Sequence, residues 1–227
     1  MFAATRGGGA ATTRVLSFVA SATSSAQTIV VPSSARSGDV LVLFDSAQNR
    51  QNTTGAFPAY PTATLPTGFS SVINATSQAE VFGGDEVSKR QLVSARVAAV
   101  GTAGSTLTGM VNDAGTSGST SKILMVFRFP LGATTFTAND VEHQAPSGGN
   151  PSAQTVNASS GAAPLVVIGL FDQQNTASFS PAADGTVVQG VIRMSYKLYA
   201  SSPQDVTVDV GDSALPFLGS FYLTISS

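Results

Sequence analysis

Asp45 and Asp172 close two similar apolar runs, Val40-Leu41-Val42-Leu43-Phe44-Asp45 and Val167-Ile168-Gly169-Leu170-Phe171-Asp172. Two carboxylates held several ångströms apart in a cleft are what glycoside hydrolysis requires. Equivalent strand ends in a repeated chain have a simpler use, because an Asp at a turn accepts backbone N–H bonds. Shared turn geometry is the reading adopted for this pair. His143 is the one histidine, within Val141-Glu142-His143-Gln144. A Ser–His–acid triad needs a nucleophile on a constrained turn, and no Gly-x-Ser-x-Gly elbow occurs, so His143 reads as a surface residue beside Glu142. Asp209 and Asp212 flank Gly211 without the Asp-x-Asp-x-Asp-Gly loop that calcium prefers. Gly7-Gly8-Gly9 neither follows a strand nor opens a helix, which excludes a phosphate loop. No catalytic, cofactor or metal residue is assigned, and the chain is expected not to be an enzyme.

Composition narrows the field further. The 227 residues include no Cys and a single His, which removes disulfide scaffolds, thiol catalysis and most His-based metal chemistry. Charged residues make up 11%, against about 25% in a typical globular protein. With 42% hydrophobic residues, the chain is expected to fold. A net charge of −2 offers no footprint for nucleic acid or an anionic membrane. Met1 to Ala11 lacks the apolar stretch of a signal peptide, and the longest apolar runs are far too short to span a bilayer. The expectation is a protein made in a cytoplasm, without cleavage or membrane insertion.

Such groups must be positioned by strands. In Val191 to Ala200, Ile192, Met194, Tyr196 and Leu198 share one face, while Arg193, Ser195 and Lys197 take the other. Asp205 to Val210 and Phe217 to Ile225 alternate in the same way. Further strands are expected at Thr13–Ala22, Gln27–Val31, Asp39–Phe44, Gln91–Val100, Ser105–Val111, Lys122–Phe129 and Leu165–Phe171, separated by Gly, Pro, Asn and Asp clusters. No window of helical periodicity stands out. The chain is therefore expected to be all-β.

It also repeats. Ser25-Ala26-Gln27-Thr28 returns 127 residues later as Ser152-Ala153-Gln154-Thr155, and the two apolar runs ending in Asp follow at the same offset. Ser94-Ala95-Arg96-Val97 returns 101 residues later as Ser195-Tyr196-Lys197-Leu198, and Leu107 falls opposite Val208. Each half closes on an apolar strand. Four-strand units cannot bury their apolar faces alone. The prediction is an N-terminal arm, 1–12, and a single antiparallel β-sandwich of jelly-roll type over 13–227. Its pseudo-repeated halves run over about 13–145 and 152–227, joined through the Pro/Gly stretch Pro146 to Pro151.

The shorter second offset places about 26 extra residues between Phe44 and Gln91. Most are expected in a long loop, Ser46 to Pro66, which is either a functional excursion or a cover for the sandwich edge. Its aromatic and amide content makes Arg50, Phe57 and Tyr60 the candidate contacts for a protein partner or a glycan. Asn112 to Ser121 reads as a plain hairpin tip.

Ser37-Gly38-Asp39-Val40-Leu41-Val42-Leu43-Phe44, then Leu65-Pro66-Thr67-Gly68-Phe69, then Ala95-Arg96-Val97, form a pattern. It resembles a group of tailed-bacteriophage virion structural proteins, of minor-tail or head-decoration type, with Phe69 where Trp is commoner. The resemblance implies a β-sandwich located in the virion and carries over no catalytic residue. It would act by assembly with other virion proteins and with copies of itself, as a head decoration (cement) or tail component. A carbohydrate-binding β-sandwich used in host adsorption is the alternative.

Overall fold

The computed structural model describes residues 15–52, 56–81, 85–110, 118–144, 152–172, 177–210 and 217–226. The expected arm at 1–12, Gly7-Gly8-Gly9, the 146–151 connection, most of the 112–121 tip and Asp212 lie outside them.

The described residues form fifteen strands, a 3-10 turn at Ala158–Ser160 and no α-helix. The first half holds β1 (Ser17–Ser24), β2 (Thr28–Val30), β3 (Val40–Gln51), β4 (Ser70–Val81), β5 (Asp85–Val97), β6 (Thr106–Thr108) and β7 (Thr120–Arg128). The second holds β8 (Thr135–Gln144), β9 (Gln154–Val156), β10 (Leu165–Asp172), β11 (Ala177–Ser180), β12 (Gly185–Gln189), β13 (Ile192–Tyr199), β14 (Val206–Val210) and β15 (Phe217–Ser226). Every pairing is antiparallel.

The all-β expectation holds, and the repeat extends further than the matched words. One five-stranded sheet runs β1-β7-β3-β5-β4, and the other, read from its β8 edge, runs β8-β15-β10-β13-β12. These are the same positions of the two halves in the same order. Outside them lie the pair β2-β6 in the first half and β9-β14-β11 in the second. Each half thus already contains two layers, where four-strand units were expected.

Three apolar clusters hold the layers together. Between the five-stranded sheets lie Val40, Val42, Phe44, Met125 and Phe127 from one half, and Val166, Ile168, Leu170, Met194 and Phe221 from the other. On the outer face of the first sheet, Leu41, Leu43 and Leu124 pack against Ile29 and Leu107. On the outer face of the second, Val167, Phe171 and Leu218 pack against Val156 and Val208. Central strands β3, β7, β10 and β15 are therefore apolar on both faces, which is why they read as continuous runs. Burying each Leu, Val or Phe contributes roughly 1.5–3 kcal/mol.

Two expectations change. Ser46 to Gln51 belongs to β3 and not to a loop. Much of the extra length of the first half goes into long strands: β3, β4 and β5 have 12, 12 and 13 residues, against 8, 5 and 8 in β10, β12 and β13. The repeat also slips by one residue in its central strand. Val40 pairs with Val97, and Val166 pairs with Leu198, at corresponding rungs of the two sheets. The 101-residue offset of β5 to β13 therefore sets β3 against β10 at 126 residues, not 127. Because side chains alternate, one residue of slip exchanges the two faces of a strand.

Candidate functional site

The residue words that carry the phage resemblance converge at one end of the first half, and each has a structural task there. Gly38 turns the chain at φ +84, a conformation that L side chains avoid. Asp39 behind it accepts from the Arg36 amide and forms a bidentate pair with Arg128, at 2.8 Å to each oxygen. The Asp39 hydrogen bond is the leading reason that the Arg128 guanidinium is held above its usual value. Pro66 to Phe69 is a turn closed by Phe69 N–H to Pro66 O at 3.0 Å, with Gly68 at φ +80. Arg96 lies over the Phe69 ring at 5.7 Å and donates to Thr67 O. The Ala98 amide bonds Asp39 O at 2.8 Å. These residues fix turns and strand ends.

The stretch Pro58-Ala59 lies over the far end of the first sheet, on its outer face. Asn49 and Ser88 oppose each other in the β3–β5 ladder. Asn49 Nδ2 donates to Ala59 O at 2.7 Å, and Ser88 Oγ to Pro58 O at 2.5 Å. Gln78 Nε2 donates to Ser88 Oγ from β4. Pro58 and Pro61 are buried, Tyr60 is half-buried, and the Phe57 residue is 42% exposed. Arg50 follows Asn49 on the strand and so points to the opposite face, where it pairs with Asp85. The structure places Phe57 and Tyr60 together on one tethered segment and Arg50 on the other side of the sheet.

Asp45 and Asp172 are not turn residues in shared geometry. Asp45 faces outward with Leu41 and Leu43, whereas Asp172 faces the central interface with Val166, Ile168 and Leu170. Both are fully buried and both pair with a buried lysine. Asp172 Oδ1 accepts from Lys89 Nζ at 2.7 Å, and its Oδ2 from Ser46 Oγ at 2.7 Å and Gln91 Nε2 at 3.2 Å. Lys89, Ser46 and Gln91 belong to the first half, so this cluster ties the halves together. Asp45 Oδ1 accepts from Lys122 Nζ at 2.7 Å, and Oδ2 from the Met110 amide at 2.7 Å. Lys122 Nζ donates also to Met110 O at 2.6 Å. Burial pushes the Asp45 carboxyl above its ordinary value, opposed by Lys122 and Met110. Lys122 carried a signal in the sequence, a cation at the head of an apolar strand, whereas Lys89, among Ser88, Arg90 and Gln91, carried none.

The remaining candidates stay apart. His143 is exposed on edge strand β8 beside Glu142, and Asp209 lies on β14. Among the described residues no group of three His, Asp or Glu could hold a metal ion. A groove of about 690 Å³ runs between edge strands β4 and β8, lined by Ser70, Ser71, Thr135, Phe136 and Thr137 with Arg96 at one side. A second of about 560 Å³ lies at the Gly38 end, between Ala99 and Leu131. Both are open and shallow, and their linings hold hydroxyls and small apolar groups rather than paired acids. Comparison with protein families, curated proteins and solved structures finds no match to this chain.

Proposed function

We propose that this chain is a structural component of a tailed-bacteriophage virion, a head decoration or tail protein that acts by assembly with copies of itself and with other virion proteins. The observation that carries the reading is the strand order. The first, last, third and fifth strands lie side by side in the first half and the first, last, third and sixth in the second, and in both the second strand pairs with the strand before the last in a separate sheet. That order supports a jelly-roll reading, and jelly rolls are modules of viral capsids and of lectins. The argument is one of architecture, with the resemblance of the sequence words beside it.

The surface suits assembly. Val100 is 91% exposed and Leu131 80% exposed, both in turns near the Gly38 groove. Exposed apolar side chains support an assembly surface where they lie together, as Ala99 and Leu131 do along this groove. Immunogold electron microscopy with antibody to this chain tests the reading on particles purified from the source culture. Gold over the heads identifies a decoration protein and gold on tails a tail protein, whereas unlabelled particles refute the proposal.

A second reading rests on Phe57. An exposed ring on a segment tethered through Asn49 and Ser88 is a platform on which a sugar ring can stack. Binding on a glycan array that survives Phe57→Ala and Tyr60→Ala removes this alternative.

A further inference from the structure

Lys122 and Asp45 are direct partners on the β7–β3 ladder, and their side chains are 0% and 1% exposed. Their contact is shut off from the surface. Leu92 and Ala47 flank it on the sheet, and the backbone of Gly109-Met110 closes it from above. The closure is tight: a Cβ on Gly109 would stand 2.2 Å from Asp45 Oδ2 and 3.2 Å from Lys122 Nζ. Only glycine lets the backbone come this close.

We propose that Lys122 and Asp45 condense into an intramolecular amide, an isopeptide bond that staples β7 to β3. The reacting form is the neutral pair, Lys122 amine and Asp45 carboxylic acid, reached from the ion pair by one proton transfer along the 2.7 Å hydrogen bond. In a dry site the neutral pair gains on the charged one because both ions lose their hydration. The raised Asp45 carboxyl is consistent with that. The Nζ lone pair then attacks Cγ, and an Nζ–Cγ bond forms. One Cγ–O bond breaks, and its oxygen leaves as water with the acid proton and one amine hydrogen. No oxidant, reductant or cofactor enters the balance.

Two backbone groups assist. Met110 O holds an Nζ hydrogen and orients the amine. Met110 N–H sits on Oδ2, where negative charge develops in the tetrahedral intermediate. Fixed partners of this kind reach effective concentrations of about 10⁵–10⁸ M. The Lys89–Asp172 pair is the internal contrast. Its Oδ2 accepts from two side chains, the Ser46 hydroxyl and the Gln91 amide, where the Asp45 Oδ2 has a backbone N–H.

The test is the intact mass of the purified chain, measured after denaturation, with fragment mapping of its digest. The expected mass is lower than calculated by one water, with a branched fragment joining the peptides of Asp45 and Lys122. Lys122→Arg keeps the charge but cannot close the amide, and should return the full calculated mass. An unmodified wild-type mass overturns the proposal. So does a water loss that maps elsewhere, to Lys89–Asp172 or to an aspartyl succinimide. The wild-type measurement decides the matter even where the variant does not fold.

Discussion

Ser46 Oγ donates to Asp172 Oδ2 at 2.7 Å across the junction of the two halves, and these two residues are each other's counterparts in the repeat. Val40, Val42, Phe44 and Ser46 form the inward row of β3. Val166, Ile168, Leu170 and Asp172 form the inward row of β10. The fourth member of each row meets the other.

Ser46→Ala should therefore cost about 1–3 kcal/mol, since a buried carboxylate oxygen loses a donor. Ser46→Asp should cost more, because it sets a second carboxylate against Asp172. Urea midpoints of the two variants should fall in that order.

Lys89→Met leaves Asp172 buried without its counter-ion and should destabilise by about 3–5 kcal/mol. Adding Asp172→Leu removes the stranded charge. The double variant should be more stable than Lys89→Met alone, and a double-mutant cycle on denaturation free energies measures the coupling.

Tyr196 bridges the five-stranded sheets. Its ring stacks on Phe18 at 4.8 Å and 17° and meets Phe127 edge-on at 5.4 Å and 74°. Tyr196→Ala should cost about 3–5 kcal/mol and Tyr196→Phe less than about 1.5 kcal/mol. Burial raises the Tyr196 phenol above 10.0, with the Asp184 charge adding to it. The unfolded phenol loses its proton first, so above pH 10.0 the folded state binds more protons and stability falls as pH rises. That stability is complete below pH 10.0, and the alkaline fall in denaturation midpoint should be smaller in Tyr196→Phe.

Asp205 is held below its ordinary 3.8, chiefly by hydrogen bonding from Ser159, whose amide donates at 2.9 Å. Its stabilising contact is present above pH 3.8 and is lost as pH falls through the lowered value. In an NMR titration the Ser159 amide should shift together with the Asp205 carboxyl, and both below that pH.

The strands that proved readable are those with an apolar residue at every second position or at every position. Ile192 to Tyr199 and Phe217 to Ile225 show their buried faces in the letters alone. β4 was missed because Ser70 to Val81 is mostly polar, and it is held by pairing to β5 and by contacts such as Gln78 to Ser88. The same holds for Gln48 to Gln51, whose amides read as loop and whose Asn49 tethers Ala59. β12 is short and carries little beyond Val187 and Val188. The one-residue slip could not be read from words either. Val, Leu and Phe suit both faces of a doubly buried strand, so an odd offset and an even one look alike until the partner strand sets the register. Phe57 and Tyr60 were picked for their chemistry, and the sequence held no sign that Arg50 would turn away from them.

The pairing of Ser46 with Asp172 bears on ancestry. Two identical halves related by a twofold axis would bring like residues together at this point: two hydroxyls for a pair of first halves, two carboxylates for a pair of second halves. A carboxylate pair in a dry contact is repulsive, and a hydroxyl pair leaves Lys89 without its acceptor. A hydroxyl can face a carboxylate here only when the two copies differ, and a single chain that holds both halves always brings the unlike pair together.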